Sequence, residues 1–203
     1  MKRRALLAAV AAPWVAPAQA RGQLEEPLTA SVRTALSAAV AAQAPPRPEF
    51  ADTAQRLAYL GWKAEMSARL VRRKADRLAR TDFLQTVWFE SRRAGLETAL
   101  VLGLIQVESG FRKFAISSAG ARGYMQVMPF WMRLIGDGDV GRLFHLQTNL
   151  RFGCVILRHY LDRERGDLFM ALGRYHGSRG RPEYPEMVFG ARRRWLFEPA
   201  SPA

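Results

Sequence analysis

The sequence predicts an all-α domain preceded by an N-terminal helical extension. Three observations carry this reading. Apolar residues recur at spacings of three and four in one segment after another, Gly and Pro fall between those segments, and the alternating pattern of half-buried strands is nearly absent. No internal repeat is visible.

The first residues read as an export signal. Lys2, Arg3 and Arg4 precede an apolar run from Ala5 to Ala12, and Ala18-Gln19-Ala20 has the small-x-small form of a signal-peptidase site. A membrane anchor needs about 20 consecutive apolar residues, and Pro13 and Pro17 interrupt this run. Residues 1–20 are therefore expected to be removed, leaving 183 of the 203 residues from Arg21 onward in the periplasm. Arg3-Arg4 loosely resembles a twin-arginine signal, so the export route stays open. No Cys follows the run, which argues against a lipid anchor. The remaining chain is long enough for one domain with a substantial core.

Composition narrows the chemistry. The one Cys, Cys154, lies in the apolar segment Phe152 to Leu157, which predicts a buried thiol and excludes an internal disulfide. The 31 basic and 18 acidic residues give a formal charge of +13, or +10 once Lys2, Arg3 and Arg4 are gone. Such a surface favours polyanions. For an exported protein these are anionic wall polymer and lipid surfaces, and nucleic acid is not expected.

The elements follow in order. Residues 21–50 read as a tether with a possible helix from Leu28 to Ala42, stopped by Pro45-Pro46-Arg47-Pro48. Residues 51–80 read as one long basic helix, with Leu57, Leu60, Ala64, Ala68 and Val71 on its apolar face, so that an extension over 51–81 precedes the main domain. Arg69, Arg72, Arg73, Lys74, Arg77 and Arg80 crowd this helix, either as a docking face for anionic wall or membrane or as an ordinary solvated face. Thr81-Asp82 caps the next helix, which runs to about Arg93 and ends at Gly95.

The run from Glu97 to Glu108 is almost wholly apolar and suits a buried strand or a buried helix; its short connection to the helix before it favours a helical hairpin, ended by Gly110. Ser117 to Gly123 is rich in turn residues. Further helices are expected over Val127–Ile135, Leu146–Leu161, Leu168–Tyr175 and Pro182–Trp195. The main domain spans 82–197, and 198–203 is a tail.

Glu108 stands out as the one acidic residue in an apolar setting. At the end of a core-facing segment, a lone carboxylate is costly to ionise and its pKa rises. A carboxyl that stays protonated near neutral pH serves as a general acid. The alternatives are an exposed helix end or a buried pair with an arginine.

Three short segments decide between these. Glu108-Ser109-Gly110-Phe111, Gly120-Ala121-Arg122-Gly123-Tyr124-Met125-Gln126-Val127-Met128-Pro129 and Ala171-Leu172-Gly173-Arg174-Tyr175-His176-Gly177 occur in that order. Together they resemble the lytic transglycosylases with a soluble-lytic-transglycosylase domain, relatives of goose-type lysozyme, over about Asp82 to Trp195. The family pattern is Glu-Ser, then Gly-Leu-Met-Gln with a Pro three residues on, then Ala-x-x-Tyr-Asn-x-Gly.

The resemblance implies a lysozyme-like helical fold and a site acting on peptidoglycan glycan strands. Glu108 matches the catalytic glutamate, and Ser117 the serine near substrate and acid. Gln126 and Met128 match residues lining the sugar groove. Gly123 and Tyr124 match the pair that brings backbone close to the sugar, and Tyr175 the tyrosine facing the carboxylate. No second acid is paired with Glu108 in the sequence, whereas most glycosidases use two; Asp137 and Asp139 read as solvated residues of a Gly-rich loop. The implied mechanism needs one carboxyl. Glu108 protonates the bridging oxygen, the N-acetyl group of muramic acid supports the developing positive charge, and Glu108 then takes the 6-hydroxyl proton as a 1,6-anhydro ring closes.

Two positions depart from the pattern: His176 stands for Asn, keeping a hydrogen-bonding ring nitrogen, and Tyr124 for the commoner Leu. No cofactor or metal is implied. His145, His159 and His176 lack metal-binding spacing, no nucleophile-elbow signature is present, and Gly120 to Gly123 is followed by no Gly-Lys-Ser/Thr. Two rival readings remain at this level: a lysozyme-like hydrolase whose Glu108 activates water, and a non-enzymatic wall-binding or assembly protein that keeps the groove.

Overall fold

The computed structural model describes residues 23–41 and 47–198. The expected signal at 1–20, Pro45-Pro46 and most of the 198–203 tail lie outside the described residues. Among the described residues eight α-helices occur in order: α1 (Ala30–Ala41), α2 (Thr53–Leu70), α3 (Arg77–Arg93), α4 (Thr98–Ser109), α5 (Phe130–Ile135), α6 (Leu146–Arg163), α7 (Leu168–His176) and α8 (Glu183–Arg193), with a 3-10 turn at Val140–Phe144 before α6. Among the described residues no strand forms; Ile116 to Arg122 and Arg122 to Val127 make isolated antiparallel bridges. The fold is all-α.

The ambiguous run after Glu97 is a helix, α4, at the centre of the core. Ala99 to Ile105 is buried on every side, which is why the run carries no amphipathic period. α4 packs most extensively on α8. The contact is at backbone distance: a Cβ added at Gly103 would meet Arg192 N at 2.6 Å and Arg192 Cα at 2.8 Å. Gly110 ends α4 in the left-handed conformation, φ +57°, where a Cβ is costly.

The basic stretch 51–80 is not one helix. α2 ends at Leu70 and α3 starts at Arg77. Its caps are Asp52 and Asp76, whose carboxylates accept from Gln55 N (2.7 Å) and Ala79 N (2.6 Å). Thr81 and Asp82 lie inside α3, and Thr81 Oγ1 donates to Arg77 O instead of capping. Arg80 holds the break in place. It is buried, and its guanidinium donates to Ser67 Oγ, Lys74 O and Ala75 O, answering carbonyls that the turn leaves without helical partners.

The buried face of α2 is also not the expected one. Tyr59, Trp62, Met66 and Leu70 point inward, while Leu57, Leu60, Ala64, Ala68 and Val71 are exposed. Both stripes have helical spacing. The one with larger side chains wins because burial scales with apolar area, and Trp88 of α3 receives Tyr59 and Trp62 at ring distances of 5.1 and 4.8 Å.

Residues 23–41 pack on the domain. Leu36 and Val40 of α1 are buried against α5 and α6. Ahead of α1, Gln23 is buried and its Oε1 accepts from Trp131 Nε1 at 2.9 Å, while Glu26 pairs with Arg163 and Arg174. Cys154 is a buried free thiol, as expected. Glu108 is not the acid set deepest among the described residues. That is Glu90 of α3, wholly buried, which takes Arg151 Nε and Nη2 at 3.1 and 2.8 Å and Arg93 Nε at 3.0 Å.

Candidate active site

The end of α4 delivers Glu108 to a groove of about 1090 Å³. Immediately beyond, Gly110 and Phe111 (φ +68°) reverse the chain. Ser109 ties the helix end to the loop that follows, its hydroxyl touching Ile105 O at 3.1 Å and Tyr124 O at 2.8 Å. That loop is held from the far side by Asn149 of α6, which is fully buried. Asn149 Oδ1 accepts from Met125 N at 2.8 Å, and its Nδ2 donates to Arg122 O and Leu143 O at 2.9 and 2.8 Å. Gly123 is required there twice over: its φ is +77°, and an added Cβ would lie 2.3 Å from Asn149 Nδ2.

Burial around the Glu108 carboxyl is the largest influence on its pKa and pushes it up to about 7; a hydrogen bond from Tyr184 opposes this. Tyr184, of α8, donates its hydroxyl proton to Glu108 Oε1. The phenol itself stays a donor, because burial and the neighbouring carboxylate hold its pKa well above the usual value. Its ring lies flat on the His176 imidazole, with centroids 4.1 Å apart. His176 Nδ1 is 3.0 Å from Ser178 Oγ.

Of the residues singled out from the sequence, Glu108, Ser117, Gln126 and His176 line the groove together. Ser117 Oγ accepts from Ala121 N at 3.1 Å. Gln126 sits at φ +50°, its Nε2 donating to Gly123 O and Ala115 O at 2.9 and 3.2 Å, so the side chain is fixed.

Gly123, Tyr124, Met128 and Tyr175 are outside the lining. The Tyr124 ring packs on Phe83, and its hydroxyl accepts from Lys74 Nζ at 2.7 Å. Met128 is half-buried and its backbone N donates to Gln23 Oε1 at 3.3 Å. Tyr175 is buried and donates to Met125 O at 2.8 Å. The hydroxyl on the Glu108 carboxylate is thus that of Tyr184, nine positions further along. Nothing in the sequence marks it, since Tyr184 is one aromatic residue in the first turn of a terminal helix. Asp137 and Asp139 lie in the loop before the 3-10 turn, where Asp137 pairs with Arg142 and Asp139 accepts from Gly141 N. Glu108 is the one carboxylate lining the groove among the described residues, and no group of His, Cys, Asp or Glu among them is arranged to hold a metal ion.

Residues 86–191 match the family model for the transglycosylase SLT domain, just over half of the chain. The chain belongs to the transglycosylase SLT domain family. The stretch common to this SLT chain and the transglycosylase of Enterobacteria phage PRD1 is 35% identical over 94 residues, 46% of this chain and 34% of the phage protein. Membrane-bound lytic murein transglycosylase C of Mannheimia succiniciproducens is 49% identical over 47 residues, 23% of this chain and 13% of that protein. The SLT chain therefore spans about a third or less of the length of these relatives. Among solved structures, an inactive mutant of lytic transglycosylase Slt from Pseudomonas aeruginosa overlays with a TM-score of 0.43 and 22% identity, covering 54% of this chain and 21% of that one.

Proposed function

We propose that this SLT-domain protein is a peptidoglycan lytic transglycosylase that cuts the β-1,4 bond between N-acetylmuramic acid and N-acetylglucosamine without water. One observation carries the reading. Among the described residues the groove offers a single carboxyl, Glu108, whose pKa near 7 and tyrosine partner suit it to give and then take a proton at one working pH. Two-carboxylate glycoside hydrolysis finds no second member among the described residues of the groove.

In the first step Glu108 passes its proton to the bridging oxygen as the bond to the muramic acid C1 breaks, and N-acetylglucosamine leaves with a free 4-hydroxyl. The N-acetyl group of the muramic acid shares the positive charge. In the second step the 6-hydroxyl oxygen bonds to C1 and its proton returns to Glu108, leaving a 1,6-anhydro end. Tyr184 steadies the carboxylate formed between the two steps. Ser117, Gln126 and His176 hold the sugars along the groove, while Gly123, Tyr124, Met128 and Tyr175 support the loop and helix that carry these groups.

An envelope location fits this substrate and the membrane-bound relatives. No helix among the described residues is long and apolar enough to cross a membrane. Of the six cations on the basic segment, Arg69 and Arg80 are tied to backbone carbonyls, Lys74 to Tyr124, and Arg73 lies over the Phe111 ring. Docking on anionic wall or membrane falls to Arg72 and Arg77, both exposed. Salt-sensitive sedimentation with peptidoglycan that weakens in Arg72→Gln/Arg77→Gln supports that role, and unchanged sedimentation ends it.

Digestion of purified peptidoglycan followed by mass spectrometry of the fragments tests the activity. Anhydromuramic ends that vanish with Glu108→Gln are the expected result. Hydrated reducing ends would instead make the protein a hydrolase, and binding without release a wall-docking protein.

A further inference from the structure

The groove wall beside Glu108 carries three guanidinium groups, from Arg112, Arg193 and Arg194. All three residues are exposed, and none forms an ion pair with a carboxylate among the described residues. This sets them apart from their neighbours: Arg192 pairs with Glu97 at 2.6 Å, and Arg174 with Glu26 and Glu164. Arg112 is anchored by Nε on Ser109 O at 2.9 Å, one residue past the acid, which leaves its terminal nitrogens to the groove. Arg194 is held through its backbone, its carbonyl accepting from Arg69 Nη1 at 2.8 Å, so its side chain is not needed for that contact. Arg112 and Arg194 thus have anchored bases, and none of the three heads is in an ion pair among the described residues.

An uncharged sugar chain gives such a cluster no partner. A guanidinium presents paired N–H donors that match a carboxylate, and three of them face a lining whose one acid is Glu108. We infer that Arg112, Arg193 and Arg194 form a carboxylate-reading wall, which selects strands bearing ionised carboxyl groups over neutral ones. This rests on peptidoglycan being the substrate. Its carboxylates come from two sources, the peptide stems and the lactyl group of muramic acid once a stem is removed. With Glu108 protonated before the first step, the wall leaves the groove net positive, so an anionic strand is drawn in without repelling the acid.

The test uses three forms of peptidoglycan: native strands, strands whose carboxyls are converted to amides with carbodiimide and ammonia, and strands stripped of stems by an amidase. Binding by sedimentation is measured with Glu108→Gln, alone and combined with Arg193→Gln/Arg194→Gln, and anhydro-end release with Glu108 in place. Native strands are expected to bind on the order of tenfold more weakly to the arginine variant, given two exposed charge pairs. On amidated strands the two proteins converge. An arginine effect that persists on stripped strands assigns the lactyl carboxylate; its loss there assigns the stems. Equal binding of native and amidated strands by the parent protein would overturn the inference, as would an arginine effect of the same size on both. Because the binding arm needs no turnover, absence of anhydro ends would defeat the proposed activity while leaving this reading decided by sedimentation. Unchanged melting of the arginine variant confirms that the fold is intact.

Discussion

Tyr184 stacks on His176 with their planes 8° from parallel, while its hydroxyl donates to Glu108. The imidazole therefore fixes the tilt of the phenol, and the phenol fixes the carboxyl. α7 and α8 meet at this stack, so His176 helps to set where the acid's donor points.

Tyr184→Phe keeps the stacked ring and removes the donor. The hydrogen bond lowers the Glu108 pKa against the larger effect of burial, so its loss shifts that pKa upward, above about 7. The limb of the pH–rate profile set by Glu108 is expected to move to higher pH, with maximal cleavage down by about tenfold to a hundredfold. A profile that stays in place would remove Tyr184 from the site.

Glu108→Gln is expected to abolish strand cleavage and also to change stability. The folded-state pKa of about 7 lies above the ordinary value of 4.5. Between these values the folded protein binds more protons than the unfolded chain, so wild-type stability falls as pH rises through that window. The amide takes no part in this and is more stable than wild type above pH 7, by roughly 3 kcal/mol at most. Urea melts at pH 4 and pH 8 read the difference directly.

Much of the fold was legible because helix periodicity, caps and breakers are local. The boundaries of α6, α7 and α8 fall close to the predicted ones, and Gly110 stops α4 where the sequence says a helix should stop. The failures share a cause. On α2 two apolar stripes satisfy the same period, and the choice between them depended on Trp88, a partner from another helix. The break at residues 71–76 is fixed by Arg80 reaching back to carbonyls, which no window of composition reveals. At the site, Glu108, Ser117, Gln126 and His176 were recoverable from short ordered segments. Tyr184 and Asn149 were not, because each is brought in from a distant helix and carries no motif of its own. Met128 and Tyr175, which the resemblance supplied, lie outside the groove lining, where Tyr175 donates to Met125 O and the Met128 backbone donates to Gln23.

His176→Asn tests whether the departure from the family pattern matters. The amide can replace the Nδ1 contact to Ser178 Oγ but not the stack on Tyr184. Cleavage is expected to change by less than about tenfold, in keeping with a lost aromatic contact of about 1 kcal/mol. A gain of orders of magnitude would mark the natural histidine as damaging to the activity.

Asn149→Ala removes one acceptor and two donations from a fully buried position. Leaving Met125 N, Arg122 O and Leu143 O without partners is expected to cost about 3 kcal/mol or more, lowering the melting temperature by about 10 °C. Calorimetry measures this, and cleavage at low temperature should fall in parallel because the same loop carries Gln126.

The bare backbone contact between Gly103 and Arg192 gives the site a calibration point remote from the chemistry. Glu108 and Tyr184 ride on the two helices that touch there, and no loop intervenes to absorb a change in their separation. A single methyl group at position 103 acts as a shim: it would spread α4 from α8 and lengthen the contact that tunes the acid's proton affinity. The pH at which Glu108 changes charge is thereby written partly into a residue with no side chain, more than one helical turn from the carboxyl it governs.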